Sequence, residues 1–142
     1  MNYQEVKQDL FQVDDRYAFA HCISKDCKMG AGIALAFVKQ FPNMKGEIIK
    51  KGTNIGKVAT YATEGRTIFN LVTKEKYWNK PTPQTFEMAI RSLKDECDQL
   101  QITHLALPKI GAGLDRLNWN DNRAIIQEVF KDSDIDILVC YQ

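Results

Sequence analysis

The chain has 142 residues, 44% hydrophobic and 26% charged, a balance that suits one water-soluble domain able to bury a core. With 19 basic side chains against 18 acidic ones, the net charge of +1 removes any requirement for a nucleic-acid partner, although a local basic patch is compatible with that total. No apolar run approaches the roughly 20 residues of a membrane span, and Met1-Asn2-Tyr3-Gln4-Glu5 lacks a signal-peptide pattern, so a cytoplasmic protein is expected, or a nuclear one in a cell with a nucleus.

Strand-like runs open the chain at Tyr3–Val6 and Tyr17–Ile23. After the glycine turn Met29-Gly30-Ala31-Gly32-Ile33, the residues Ile33, Phe37 and Phe41 recur every fourth position and predict a helix. Met44–Lys51 predicts a short helix closed by Gly52. Two further strands are expected at Gly56–Ala62 and Thr67–Thr73, with Ala62–Thr67 read as the hairpin turn between them. Pro83–Leu100 predicts the clearest helix. Phe86, Ile90, Leu93, Cys97 and Leu100 form one apolar stripe, Thr82 is placed to cap it, and Pro83 suits its first position. A strand at Thr103–Leu107, a helix at Trp119–Lys131 carrying Ile125, Ile126, Val129 and Phe130, and a strand at Ile135–Tyr141 complete the pattern. Strands alternating with amphipathic helices imply a single α/β domain over residues 1–142. The expected architecture is a three-layer α/β/α sandwich whose central sheet of about six strands is mixed but mostly parallel.

The segment Lys109-Ile110-Gly111-Ala112-Gly113-Leu114-Asp115-Arg116-Leu117 follows the strand ending at Leu107. A strand emptying into Gly-x-Gly and then a helix lets backbone N–H groups converge on a phosphate. The glycine turn at Met29–Ile33 follows another strand, and two such loops suggest a diphosphate held between them. Neither matches the full G-x-G-x-x-G fingerprint, and no G-x-x-x-x-G-K-[ST] loop is present, which disfavours a Rossmann dehydrogenase or a P-loop NTPase. In open α/β sheets ligands gather at the carboxyl ends of strands. Both glycine loops, Asp9 and Lys74 fall at such ends.

Several residues carry two readings. Lys74 reads first, on composition, as an exposed end-of-strand charge; partly desolvated, it becomes an amine nucleophile toward a masked aldehyde. Lys76 and Lys80 read as solvated. Asp115 is either an acid complementing a helix N-terminus or a carboxylate beside the ligand. Asp9 is a turn residue or a hydrogen-bond acceptor for a nucleobase amine, and Ser24 a turn hydroxyl or a ribose contact. Trp119 and Phe11 read as core or helix-start residues before stacking platforms. The cysteines Cys22, Cys27, Cys97 and Cys140 form no C-x-x-C pair, and only His21 and His104 could join them, so buried free thiols in a reducing compartment are expected and no metal site.

Taken together, Lys7-Gln8-Asp9-Leu10-Phe11, Ala20-His21-Cys22-Ile23-Ser24, Lys28-Met29-Gly30-Ala31-Gly32-Ile33-Ala34, Leu71-Val72-Thr73-Lys74, Lys80-Pro81-Thr82 and Pro108–Leu117 resemble a macrodomain, the ADP-ribose-binding α/β/α module. Within that superfamily the chain resembles the branch of terminal ADP-ribose protein glycohydrolases and DNA ADP-ribosyl glycohydrolase antitoxins. Gln8 departs from the glycine that many macrodomains carry before the aspartate. The resemblance implies a hydrolase with Lys74 and Asp115 as catalytic residues and no cofactor. It implies that Asp9 and Leu10 hold the adenine, that Met29, Gly30, Ala31, Gly32 and Ile33 wrap the distal ribose, and that Ile110, Gly111, Ala112, Gly113 and Leu114 cradle the pyrophosphate. Ser24 and Thr73 join the same ligand set. The implied partners are ADP-ribose and ADP-ribosylated protein or nucleic acid, met by a monomer with no membrane contact. Ring opening of the distal ribose exposes C1 as an aldehyde, which a lysine amine captures as an imine while Asp115 moves protons. A non-catalytic ADP-ribose reader and a phosphatase acting on ADP-ribose 1″-phosphate remain as alternatives.

Overall fold

The computed structural model describes residues 1–63 and 65–142; the expected Ala62–Thr67 turn includes Glu64, which lies outside the described residues. The elements run β1 (Asn2–Lys7), β2 (Ala18–Ser24), α1 (Gly32–Gln40), α2 (Met44–Lys51), β3 (Val58–Thr63), β4 (Arg66–Lys74), α3 (Pro83–Gln99), β5 (His104–Leu107), α4 (Trp119–Phe130) and β6 (Asp136–Tyr141). The strands form one sheet in the order β1-β6-β5-β2-β4-β3. All neighbours are parallel except β3 with β4, so the sheet is mixed and mostly parallel. A single 3-10 turn at Leu10–Gln12 has no counterpart in the periodicity of the sequence, because three residues carry no period to read.

Side chains of a strand alternate between faces, and here each face has its own core. Ala18 and Ala20 of β2, Phe69 and Leu71 of β4, and Leu105 and Leu107 of β5 pack with α3 and α4, whose buried faces hold Phe86, Ile90, Leu93, Ile126 and Phe130. Phe19 and Ile23, Ile68 and Val72, and Ala106 point the other way, toward Phe37 of α1 and Met44 and Ile48 of α2. Two helical layers thus sandwich the sheet. The stripe on α3 is anchored by a full capping box, with the Thr82 hydroxyl accepting from Thr85 N at 3.0 Å and Pro83 at the first helical position. Because β1, β2, β4, β5 and β6 run parallel, their carboxyl ends share one edge of the sheet, and the loops leaving them are brought together there.

Candidate functional site

That edge carries a cavity of about 1110 Å³, large enough for an extended, dinucleotide-sized ligand. Its walls come from the segments that follow the parallel strands: Gln8–Phe11 after β1, Lys28–Ala34 after β2, Tyr77–Lys80 after β4, Pro108–Arg116 after β5, and Tyr141 and Gln142 at the end of β6.

Two glycines explain why the loops can take this course. Gly111 has φ +74°, and a Cβ there would lie 2.7 Å from Asn122 Nδ2 and 3.0 Å from Phe86 Cε1, so backbone conformation and packing both require glycine. Gly32 has φ +58° and opens α1, and a Cβ on it would meet Leu114 Cδ1 at 2.9 Å. The two glycine loops therefore touch across the cavity. Ala31, the N-cap of α1, offers no side-chain cap, which leaves the first N–H groups of that helix without a side-chain partner. Cys27, Met29 and Arg116 also adopt positive φ, of 54°, 47° and 59°. Left-handed conformations at non-glycine residues cost free energy, and two of these, Met29 and Arg116, line the cavity.

At one end of the cavity Lys74 Nζ donates to Asp115 Oδ1 at 2.6 Å. The two side chains are only 13% and 15% exposed. Lys74 leaves the end of β4, and Asp115 is delivered by the loop after β5. The composition-based reading of Lys74 as an exposed end-of-strand charge is therefore wrong, because the glycine loop folds back over the strand exit and shields it. Cys22 of β2 is half-buried and lines the same space. Burial pushes its thiol well above the ordinary cysteine range, and the nearby Asp115 charge adds to this, opposed by Lys74 and the Gly111 N–H. Cys22 is thus held as a neutral thiol and offers no thiolate beside the lysine. At the other end, burial raises the Cys140 thiol to about 11, with the Asp9 charge as a further cause.

The chain matches the Macro domain family over residues 20–126. It belongs to the macrodomain family. The macrodomain is 42% identical over 134 residues to the ADP-ribose glycohydrolase OARD1 of Homo sapiens, covering 94% of this chain and 88% of that protein. It is 32% identical over 112 residues to a DNA ADP-ribosyl glycohydrolase of Thermus aquaticus, covering 72% of this chain and 31% of that one. The solved macrodomain of Mycobacterium tuberculosis DarG superposes with a TM-score of 0.90 at 25% identity, covering 99% of this chain and 97% of that one.

Of the residues expected at a ligand, this macrodomain brings Asp9, Leu10, Ser24, Met29, Gly30, Ala31, Gly32, Ile33, Ile110, Gly111, Ala112, Gly113 and Leu114 to the cavity wall beside Lys74 and Asp115. Thr73 is the exception. It is fully buried, is absent from the wall, and its hydroxyl has no partner among the described residues. The register between β2 and β4 explains this: Ile23 pairs with Val72 but Ser24 with Lys74, so Thr73 is the extra residue of an irregularity that presents Lys74, and not Thr73, to the cavity. Asp9 caps the 3-10 turn, with Oδ1 accepting from Phe11 N at 3.0 Å. The Ser24 hydroxyl donates to Asp26 Oδ1, so it acts as a turn hydroxyl and keeps only acceptor lone pairs for another group. Phe11 packs edge-on to Phe19 and Phe37 and forms wall rather than platform. Trp119 opens α4, as its helix-start reading expects.

Three contributors escape sequence reasoning. Asn122 is buried and donates Nδ2 to Ile110 O at 3.0 Å, pinning the second glycine loop to α4. Its signal was its position four residues before Ile126, a polar residue on the apolar stripe. Asp26 joins the β2 and β4 exits by accepting from Lys28 N and Tyr77 N at 3.2 and 3.1 Å. The third contributor is the aromatic pair Tyr77 and Trp78, which falls in a loop between periodic segments where pattern says nothing.

Proposed function

We propose that the chain is an ADP-ribosyl hydrolase, a single macrodomain over residues 1–142 that binds ADP-ribose in the cavity and removes mono-ADP-ribose from acidic residues of modified protein or from nucleic acid. One observation carries the reading: an amine and a carboxylate lie 2.6 Å apart, mostly shielded from water, at a ligand-sized cavity built from two glycine loops. A module that only held ADP-ribose would need the loops and Asp9 but no such pair. The 42% identity to a protein named ADP-ribose glycohydrolase supports the same reaction class.

In this reading the pyrophosphate lies against the backbone N–H groups of Ile110–Leu114 and of the uncapped start of α1. Asp9 and Leu10 receive the adenine, and Met29–Ile33 close over the distal ribose. Ser24 supports this last loop through Asp26. The Lys74 ammonium is bound to Asp115, so it must give up a proton before it can attack. Asp115 sits where it can take that proton. The freed Nζ forms a bond to C1 of the distal ribose as the bond from C1 to the carried group breaks, and Asp115 returns a proton to the departing atom. The resulting glycosylamine opens when the bond from C1 to the ring oxygen breaks, a proton passing from Nζ to that oxygen, which leaves a protonated imine. Water then hydrolyses the imine, giving free ADP-ribose and the lysine amine. The four unpaired cysteines suit a reducing compartment. Among the described residues, no helix is long and apolar enough to cross a membrane.

The test is release of ADP-ribose from a glutamate-modified protein and from an ADP-ribosylated oligonucleotide. Wild type is expected to turn over at least one of them, and Asp115→Ala to slow that turnover by roughly 10²–10⁴, the usual weight of a positioned acid–base group. No release from either substrate, with ADP-ribose still bound, would make the protein a reader. Release of phosphate from ADP-ribose 1″-phosphate alone would make it a phosphatase.

A further inference from the structure

Tyr77 and Trp78 are 53% and 66% exposed at the rim of the cavity. They stand three and four residues beyond Lys74. Their rings meet edge to face, with centroids 5.0 Å apart. The turn that displays them is fastened at several points. Tyr77 N donates to Asp26 Oδ2 at 3.1 Å, Lys76 N donates to Asn79 Oδ1 at 2.8 Å, and Asn79 N donates to Lys76 O at 3.0 Å. Apolar surface shown on a braced turn is not the by-product of a loose loop, and it calls for an occupant. The surroundings are basic. Lys28 Nζ lies 5.7 Å from the Tyr77 ring centroid, and Lys76 and Lys80 are exposed on the same turn. The opposing charges are Glu75 and Asp26, and both Asp26 oxygens are occupied by hydrogen bonds.

We infer that the Tyr77–Trp78 turn is a stacking platform for a nucleobase beside the scissile bond, which makes single-stranded nucleic acid the macromolecular substrate this cavity favours. The inference rests on the hydrolase reading and adds a specificity determinant to it. Rings interleaved with cations suit a strand that offers a π-face and a phosphate at every step. A glutamate joined to ADP-ribose is an uncharged ester, which has no use for two open rings or for the cations around them. The Lys74–Asp115 pair marks where C1 of the distal ribose must sit, and the platform begins within the same wall, so the first base of a carried strand lands on Trp78.

The experiment compares wild type with Trp78→Ala and Trp78→Phe on two substrates, an ADP-ribosylated single-stranded oligodeoxynucleotide and a glutamate-ADP-ribosylated peptide. Affinity for free ADP-ribose is measured alongside, as is quenching of tryptophan fluorescence by the unmodified oligonucleotide. On the oligonucleotide, Trp78→Ala is expected to lower kcat/KM at least about tenfold, within the usual weight of one base–aromatic stack, and Trp78→Phe to keep most of the activity. The loss on the oligonucleotide should exceed any loss on the peptide or in ADP-ribose affinity by about that factor, and the quench seen in wild type should vanish in Trp78→Phe. An equal loss on both substrates, or no loss on the oligonucleotide, overturns the platform. Turnover of the peptide but not the oligonucleotide by wild type also overturns it and leaves the hydrolase reading standing. Turnover of neither substrate defeats the hydrolase reading, while the quench still reports on the platform alone.

Discussion

Replacing Asp115 with Ala strips the Lys74 ammonium of the carboxylate 2.6 Å away while leaving the amine mostly shielded from water. The catalytic loss expected above should therefore be shared by Asp115→Asn, which keeps the shape but moves no proton, and calorimetry should show ADP-ribose affinity mostly intact in both. Gly111 is constrained more tightly. Gly111→Ala puts a Cβ 2.7 Å from Asn122 Nδ2 at a φ of +74°, and the expected cost is about 2 kcal/mol or more, read from urea unfolding. His21 sets the acid limit. Asn70 Nδ2 donates to Ala59 O, so its Oδ1 faces His21, Nε2 carries the proton, and Nδ1 is left without a partner. Burial lowers the His21 pKa to about 4 against 6.5 for the free side chain, with the Asn70 hydrogen bond opposing it. A depressed histidine binds its proton more readily once unfolded. Stability is therefore full above about pH 6.5 and falls by about 3 kcal/mol as pH drops toward 4. His21→Gln should flatten that slope in urea melts between pH 7.5 and 4.5 (roughly the window of the shift). Glu5, held down to about 2 by Arg123, contributes to a separate loss below about pH 4.5.

At the scale of elements, the site is a set of strand exits braced from behind. Asn122 of α4 holds Ile110 O, and its replacement by Ala leaves that carbonyl unsatisfied, at a cost of about 1–3 kcal/mol. The same variant should weaken ADP-ribose binding, because the loop it frees carries the expected pyrophosphate contacts; titration calorimetry on the folded variant checks this. The helices were legible from their period and the central strands from their apolar runs. Phe86, Ile90, Leu93 and Cys97 on α3 report which face is buried, and the near-continuous apolar run of β4 marks a strand buried on both faces. The braces were not legible, since Asp26 and Asn122 work through partners that only the fold brings near. Thr73 lies off the wall for a related reason: it falls at the register shift between β2 and β4, and motif membership does not record a bulge.

Across the whole molecule, local sequence marked the carboxyl edge of the sheet as the ligand edge. The strand order β1-β6-β5-β2-β4-β3, which sets Lys74 beside the loop carrying Asp115, depends on long-range pairing with no local signal. A ligand gripping several exits at once should stabilise the entire fold. At a hundredfold excess over Kd, ADP-ribose is expected to add about 2.7 kcal/mol and raise the melting midpoint by roughly 5–10 °C. Gly113→Glu should abolish that shift without unfolding the protein, because a Cβ at Gly113 meets nothing within 4 Å and the carboxylate would project into the cradle. The central claim is that the Lys74 amine bonds to C1 of the distal ribose under the control of Asp115. Borohydride added during turnover, followed by mass spectrometry of the digested protein, tests it most directly. The account predicts a reduced ADP-ribose adduct on the peptide containing Lys74 in wild type and none in Lys74→Ala, which should also lose hydrolysis. Undiminished hydrolysis by Lys74→Ala, with no adduct in wild type, would contradict it.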